Sequence, residues 1–131
     1  RQRRHSIGGR HRGRRLMPRD LDALRQRLRE FARARDWEQF HAPKNLAMAL
    51  IAEAGELIEH FQWLSEDQSR QLTAEQRRAV ELELADVLLY LVRLADLLDV
   101  DLLEVAERKI ALNEKKYPAA EVRGRADKRH S

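Results

Sequence analysis

The sequence predicts an all-α protein, a four-helix bundle that subunits complete by associating. Three observations carry that expectation. Charged residues make up 37% of the 131 positions and aromatics 5%, with three Pro and five Gly, a balance that favours helices over sheets. Apolar residues recur at three- and four-residue spacing through four segments, and no segment alternates convincingly as a strand would. Helix punctuation stands at the right places, with Asp20, Thr73 and Asp101 as caps and Pro43 and Pro118 as a start and a stop. One domain is expected at this length.

Residues 1–17 read as a basic N-terminal extension. Residues 1–16 hold seven Arg and no acid, so the overall charge of +4 leaves −3 for the remainder. The extension contains Gly, lacks periodicity and is expected to be flexible, and Met17 reads as a natural start. The helical domain is residues 18–118. Its first helix runs from about Asp20 to Ala34, with Leu21, Leu24, Leu28 and Phe31 on one face. A loop over 35–42 carries Trp37, Phe40 and His41, an unusual load of rings for a tether. The second helix starts at Pro43, which suits a first helical position, and continues to about Leu64. Its stripe is Leu46, Leu50, Leu57, Ile58, Phe61 and Leu64, and Gly55 inside it invites close approach by another helix or a ligand. Residues 65–72 read as a loop. Thr73 and Gln76 form a capping box for a third helix ending near Leu98, with Val80, Leu84, Val87, Leu88, Leu91 and Ala95 inward. Asp101 and Glu104 cap a fourth, which ends at or before Tyr117. Residues 119–131 form a basic C-terminal tail.

Composition excludes several classes. There is no Cys, so disulfides and thiolate metal sites are ruled out. Asp86 and Arg93 break the longest apolar segments, so no membrane span is expected. No apolar leader is visible, and the cytoplasm is the expected location.

The chemistry-bearing residues are two carboxylate pairs, Glu53 with Glu56 and Glu83 with Asp86. Three-residue spacing puts each pair on one helix face, with Cβ atoms roughly 5–6 Å apart. A lone Glu-x-x-Glu is usually a solvated face. Glu104 and Glu107 illustrate this, because Arg108 lies within reach as an ordinary surface partner. The central pairs differ. No Lys or Arg occurs between Lys44 and Arg70 or between Arg78 and Arg93. Their neighbours one turn away are mostly Ala, Leu and Val, with His60 and Tyr90 as polar exceptions. Four unpartnered carboxylates in apolar surroundings suit a hard divalent cation, Mg²⁺ or Mn²⁺. A di-iron bundle would need Glu-x-x-His on two helices, and the sequence does not supply it. Mg²⁺ commonly shares its ligands with phosphates, which points to a nucleotide substrate.

The flanking text is more specific. Arg35-Asp-Trp-Glu-Gln-Phe-His41, Pro43-Lys-Asn-Leu46, Glu53-Ala-Gly-Glu-Leu57, Phe61-Gln-Trp63, Glu83-Leu-Ala-Asp-Val-Leu-Leu-Tyr90 and Asn113 before Tyr117-Pro118 resemble the MazG-type all-α nucleoside triphosphate pyrophosphohydrolases, in their dCTP pyrophosphatase branch. The resemblance covers about residues 21–125. It implies conversion of a nucleoside triphosphate and water to the monophosphate and diphosphate, with dCTP or a modified dCTP as substrate and nucleotide-pool house-cleaning as the role. It implies Mg²⁺ on Glu53, Glu56, Glu83 and Asp86, which form the catalytic set, and one of these carboxylates orienting or deprotonating the attacking water. It places Lys44, Lys109 and Asn113 at the triphosphate, Trp37, His41, Asn45 and Trp63 in the base and sugar pocket, and Tyr90 at the sugar. It also implies a homotetramer with sites built between subunits.

Two other readings stay open. A related pyrophosphohydrolase could act on a different nucleotide. A non-catalytic helical module could bind nucleic acid through its basic N-terminal arm, but that leaves the four carboxylates unexplained.

Overall fold

The computed structural model describes residues 20–126. The N-terminal extension and residues 127–131 lie outside them. Every regular element among the described residues is helical, and no helix there is long and apolar enough to cross a membrane. The chain divides into two compact units, one through Leu98 and one from Asp99 on.

In the first unit, α1 spans Leu21–Ala34, a 3-10 turn spans Glu38–Phe40, α2 spans Pro43–Glu59, α3 spans Glu66–Arg70 and α4 spans Ala74–Leu97. In the second, α5 spans Leu102–Lys116 and α6 spans Ala119–Val122. The four expected helices are therefore present, and three of them build the first unit. Helix α4 packs chiefly along α2 and also against α1.

The caps explain the boundaries. Asp20 accepts a hydrogen bond from Ala23 N at 2.7 Å, and Asp101 accepts one from Glu104 N. Thr73 and Gln76 form the reciprocal capping box of α4. Ser65 and Gln68 make the same device for α3, within the stretch expected to be loop. Both satisfy backbone donors that a helix start leaves orphaned. Helix α2 stops at Glu59, short of the expected Leu64. Beyond it the chain tightens into three-residue bonds, Phe61 N to Ile58 O at 2.9 Å and Leu64 N to Phe61 O at 2.9 Å. The short α6 also falls where only a tail was expected.

Helix α1 ends in a Schellman arrangement. Asp36 has φ +53°, a left-handed conformation that Asp tolerates better than most residues. Trp37 N then bonds Ala32 O at 2.9 Å and Asp36 N bonds Arg33 O at 3.1 Å, which satisfies the last carbonyls. The turn folds Trp37 back onto Phe31, edge to face, with ring centroids 5.7 Å apart.

The core is thin. Ala32, Leu46, Val80, Val92 and Ala95 are its buried apolar residues. Leu84, Leu88 and Leu91, expected inward on α4, are exposed in the single chain, as are Met48, Ile51 and Ile58 on α2 and Phe31 on α1. A Cβ placed on Gly55 would meet nothing within 4 Å, so the close approach expected there is not made within the chain.

The most buried charged contacts tie α1 to α4. Arg29 Nε on α1 donates to Asp96 Oδ2 at 2.7 Å, and Arg93 Nη1, one turn before Asp96, donates to the same oxygen at 3.3 Å. The Asp96 side chain is only 4% exposed. The hydrogen bond from Arg29 holds its carboxyl below the ordinary 3.8. Burial opposes that shift, and the charges of Arg29, Arg25 and Arg93 reinforce it. Removing one partner of a buried pair strands the other. Asp96→Ala should therefore lower the unfolding free energy in urea by about 3 kcal/mol. Because the folded pKa is depressed, this contribution is complete above the ordinary carboxylate pKa and is lost as pH falls through the folded value. The gap between wild type and variant should close on acidification. A gap of a few tenths of a kcal/mol at neutral pH would assign the pair surface strength.

Candidate metal centre and the adjoining pocket

Glu53 and Glu56 stand one turn apart on α2, and Glu83 and Asp86 one turn apart on α4. Packing of α2 along α4 brings the two pairs together. One carboxylate oxygen from each of Glu53, Glu56 and Glu83 lies within 4.8 Å of the other two. Asp86 falls outside this triplet, although its charge still acts on Glu53. The second oxygens of Glu53 and Glu83 are buried and have no hydrogen-bond partner among the described residues. His60 is close by, its Nε2 3.8 Å from Glu83 Oε1.

A buried acceptor without a donor is unfavourable by about 1–3 kcal/mol in general, and more when charged. The carboxyl of Glu53 responds to its surroundings and is pushed up to about 7. Desolvation is the main cause, followed by a hydrogen bond shared with Glu56 and by the charges of Glu56, Asp86 and Glu83. Three converging carboxylates with orphaned oxygens fit a hard divalent cation, whose preferred ligands are all oxygen.

A cavity of about 200 Å³ adjoins this centre, and Asp86 forms part of its wall. Trp37, His41 and Tyr90 line it together with Phe31, Leu46 and Arg93. The Schellman turn delivers Trp37. His41 sits just before the N-cap of α2, and Asp86, Tyr90 and Arg93 follow one another along a face of α4. Four residues singled out in the sequence, Trp37, His41, Asp86 and Tyr90, therefore share one wall with Arg93, which the sequence marks only as a break in an apolar segment.

The remaining expected site residues lie elsewhere. Asn45 is exposed and donates to Phe40 O at 3.2 Å, bracing the 3-10 turn. Lys44 is exposed, and Trp63 is 87% exposed; neither lines the cavity. Lys109 and Asn113 stand one turn apart on α5, in the second unit.

The profile of the MazG-like family matches residues 49–129, a span that includes all four carboxylates. The chain belongs to the MazG-like family. Among relatives of this MazG-like chain, dCTP pyrophosphatase 1 of Mus musculus is 44% identical over 110 residues, which cover 82% of this chain and 65% of that protein. The Homo sapiens protein of the same name is 45% identical over 101 residues, 76% of this chain and 59% of that one. The chain thus spans less than two thirds of the length of these curated relatives. A crystal structure of a pyrophosphatase from Archaeoglobus fulgidus superposes with a TM-score of 0.72 at 40% identity, covering 78% of this chain and 95% of that one.

The raised pKa of Glu53 has two consequences. Between 4.5 and about 7 the folded state binds more protons at this carboxyl than the unfolded state, so cation-free stability should decline as pH rises through that window. A cation must also displace that proton. Calorimetric titration with Mn²⁺ should show affinity falling by up to about tenfold per pH unit below about 7, with proton release on binding. Affinity independent of pH from about 6 to about 8 would contradict this assignment of the proton.

Proposed function

We propose that this MazG-like chain is a Mg²⁺-dependent nucleoside triphosphate pyrophosphohydrolase acting on dCTP or a modified dCTP. The observation that carries the reading is the convergence of Glu53, Glu56 and Glu83, with two buried oxygens lacking any donor, beside a ring-lined cavity. The names of the relatives, dCTP pyrophosphatase 1 and pyrophosphatase, support the same reaction class.

Glu53, Glu56 and Glu83 would hold Mg²⁺, with Asp86 adding charge beside them. The ion would neutralise phosphate charge and make attack by water feasible. A carboxylate of this group takes the proton as a water oxygen bonds to the α-phosphorus. The bond from that phosphorus to the oxygen bridging to the β-phosphate breaks, and diphosphate leaves with the electron pair. A carboxyl poised near the operating pH suits such proton transfer. In the cavity, Trp37 supplies a flat apolar wall for a base at low conformational cost, and His41 and Tyr90 supply polar contacts to the nucleoside.

The exposed Met48, Ile51 and Ile58 of α2, and Leu84, Leu88 and Leu91 of α4, support completion of the fold by other subunits, in a homotetramer. By analogy with the family, Lys44, Lys109 and Asn113 would serve the triphosphate and Asn45 and Trp63 the base and sugar. A nucleotide-pool role in the cytoplasm accords with this chemistry. The nucleic-acid alternative rests on an arm outside the described residues and gives the buried carboxylates no purpose.

The decisive assay incubates the protein with dCTP and Mg²⁺ and separates the products. dCMP and diphosphate are expected. Release of dCDP and orthophosphate, or no turnover across a panel of nucleotides, would contradict the proposal, and turnover confined to another nucleotide would reassign the substrate.

A further inference from the structure

We infer that Arg93 is a positioning residue for the pocket: its guanidinium holds the ring of His41 so that the ring offers an occupant a neutral Nε2–H donor. The pocket then selects a nucleoside edge bearing an oxygen acceptor. This deepens the reading of the cavity as a nucleoside site and rests on it.

Arg93 is buried, at 8% exposure. Its Nε donates to His41 Nδ1 at 3.1 Å, and its Nη1 donates to Asp96 Oδ2. Asp96 is held in turn by Arg29 of α1. The guanidinium is therefore fixed at both ends, and through it the loop before α2 is fixed to α4. Arginine only donates, so Nδ1 must carry a lone pair. A neutral imidazole has a single N–H, which leaves the proton on Nε2. An imidazolium would present N–H at both nitrogens and lose the bond to Arg93. Burial, then the charge of Arg93, lowers the pKa of His41, with Glu38 opposing, which agrees with a neutral ring. Nε2 makes no hydrogen bond within the described residues, so the ring lining the cavity keeps one donor for an occupant. Two positively charged donors there would favour any anion. One neutral donor beside Trp37 and Phe31 favours the uncharged part of a nucleotide, by a base carbonyl or a sugar oxygen.

The test is a double-mutant cycle on dCTP turnover with Arg93→Lys and His41→Ala. The lysine keeps a charge for Asp96 but not the planar Nε donor. If Arg93 acts through His41, each single variant should raise KM about three- to tenfold, the scale of one hydrogen bond, with kcat changing less. The double variant should then be no worse than His41→Ala alone. Repeating His41→Ala with a 3′-deoxy analogue separates the acceptors: a vanished effect assigns the 3′-hydroxyl oxygen, a retained one the base or the sugar ring oxygen. A KM unmoved by His41→Ala would remove the nucleoside reading and this proposal together. A His41 effect with an equal, additive Arg93 effect would overturn the proposal and leave the nucleoside reading standing. Should Arg93→Lys fail to fold, ¹⁵N NMR of the wild type decides. A coupling between Arg93 Nε and His41 Nδ1 across the hydrogen bond, with the ring proton on Nε2, is expected. A ring with its proton on Nδ1 would overturn the proposal.

Discussion

The seam between α2 and α4 forces like charges together, and the rest of the site depends on that constraint. Helix packing there serves the apolar residues around it. Leu46 and Val80 are buried, and α2 lies along α4. The same geometry brings Glu53, Glu56 and Glu83 within reach of one another, and among the described residues no Lys or Arg forms an ion pair with them. The folded chain meets this conflict partly by protonation, which is why Glu53 holds its proton up to about 7. Two buried oxygens are still left without donors. A fold selected for stability alone would avoid leaving carboxylate oxygens buried without donors, since that is unfavourable. A hard cation would resolve the conflict.

The cavity beside the seam is built differently, from capping and a buried ion network. Asp36 in the left-handed region turns the chain so that Trp37 packs on Phe31. Arg93, Asp96 and Arg29 then fasten the following loop, through His41, to α4 and α1. One helix, α4, carries Asp86, Tyr90, Arg93 and Asp96 in order. One helix thus contributes to the carboxylate centre, the cavity and its anchor on successive turns.

Much of this was legible in the sequence, because helix caps and carboxylate spacing are local. Asp20, Thr73 and Asp101 marked helix starts correctly. The missing counter-ions around Glu53 and Glu83 single out carboxylates that the fold then brings together. The Ser65–Gln68 box that starts α3 was equally local and could have been read by the same rule. Arg93 was harder. Its partner His41 lies 52 residues away, and a lone Arg in an apolar run gives no sign of which distant side chain will satisfy it. The exposed Leu84, Leu88 and Leu91 were misjudged for another reason. Periodicity reports that a face is apolar but not whether its partner lies in the same chain.

The central claim is that these carboxylates are a cation site strained when empty. Thermal unfolding of Glu53→Gln and Glu83→Gln, with and without Mg²⁺, tests it most directly. Neutralising one like charge should leave each cation-free variant at least as stable as the cation-free wild type. Ligand binding to the native state alone raises Tm, so the rise on adding Mg²⁺ should be large for wild type and much smaller for the variants. Cation-free variants that melt well below wild type, with an undiminished response to Mg²⁺, would make the carboxylates structural and contradict the account.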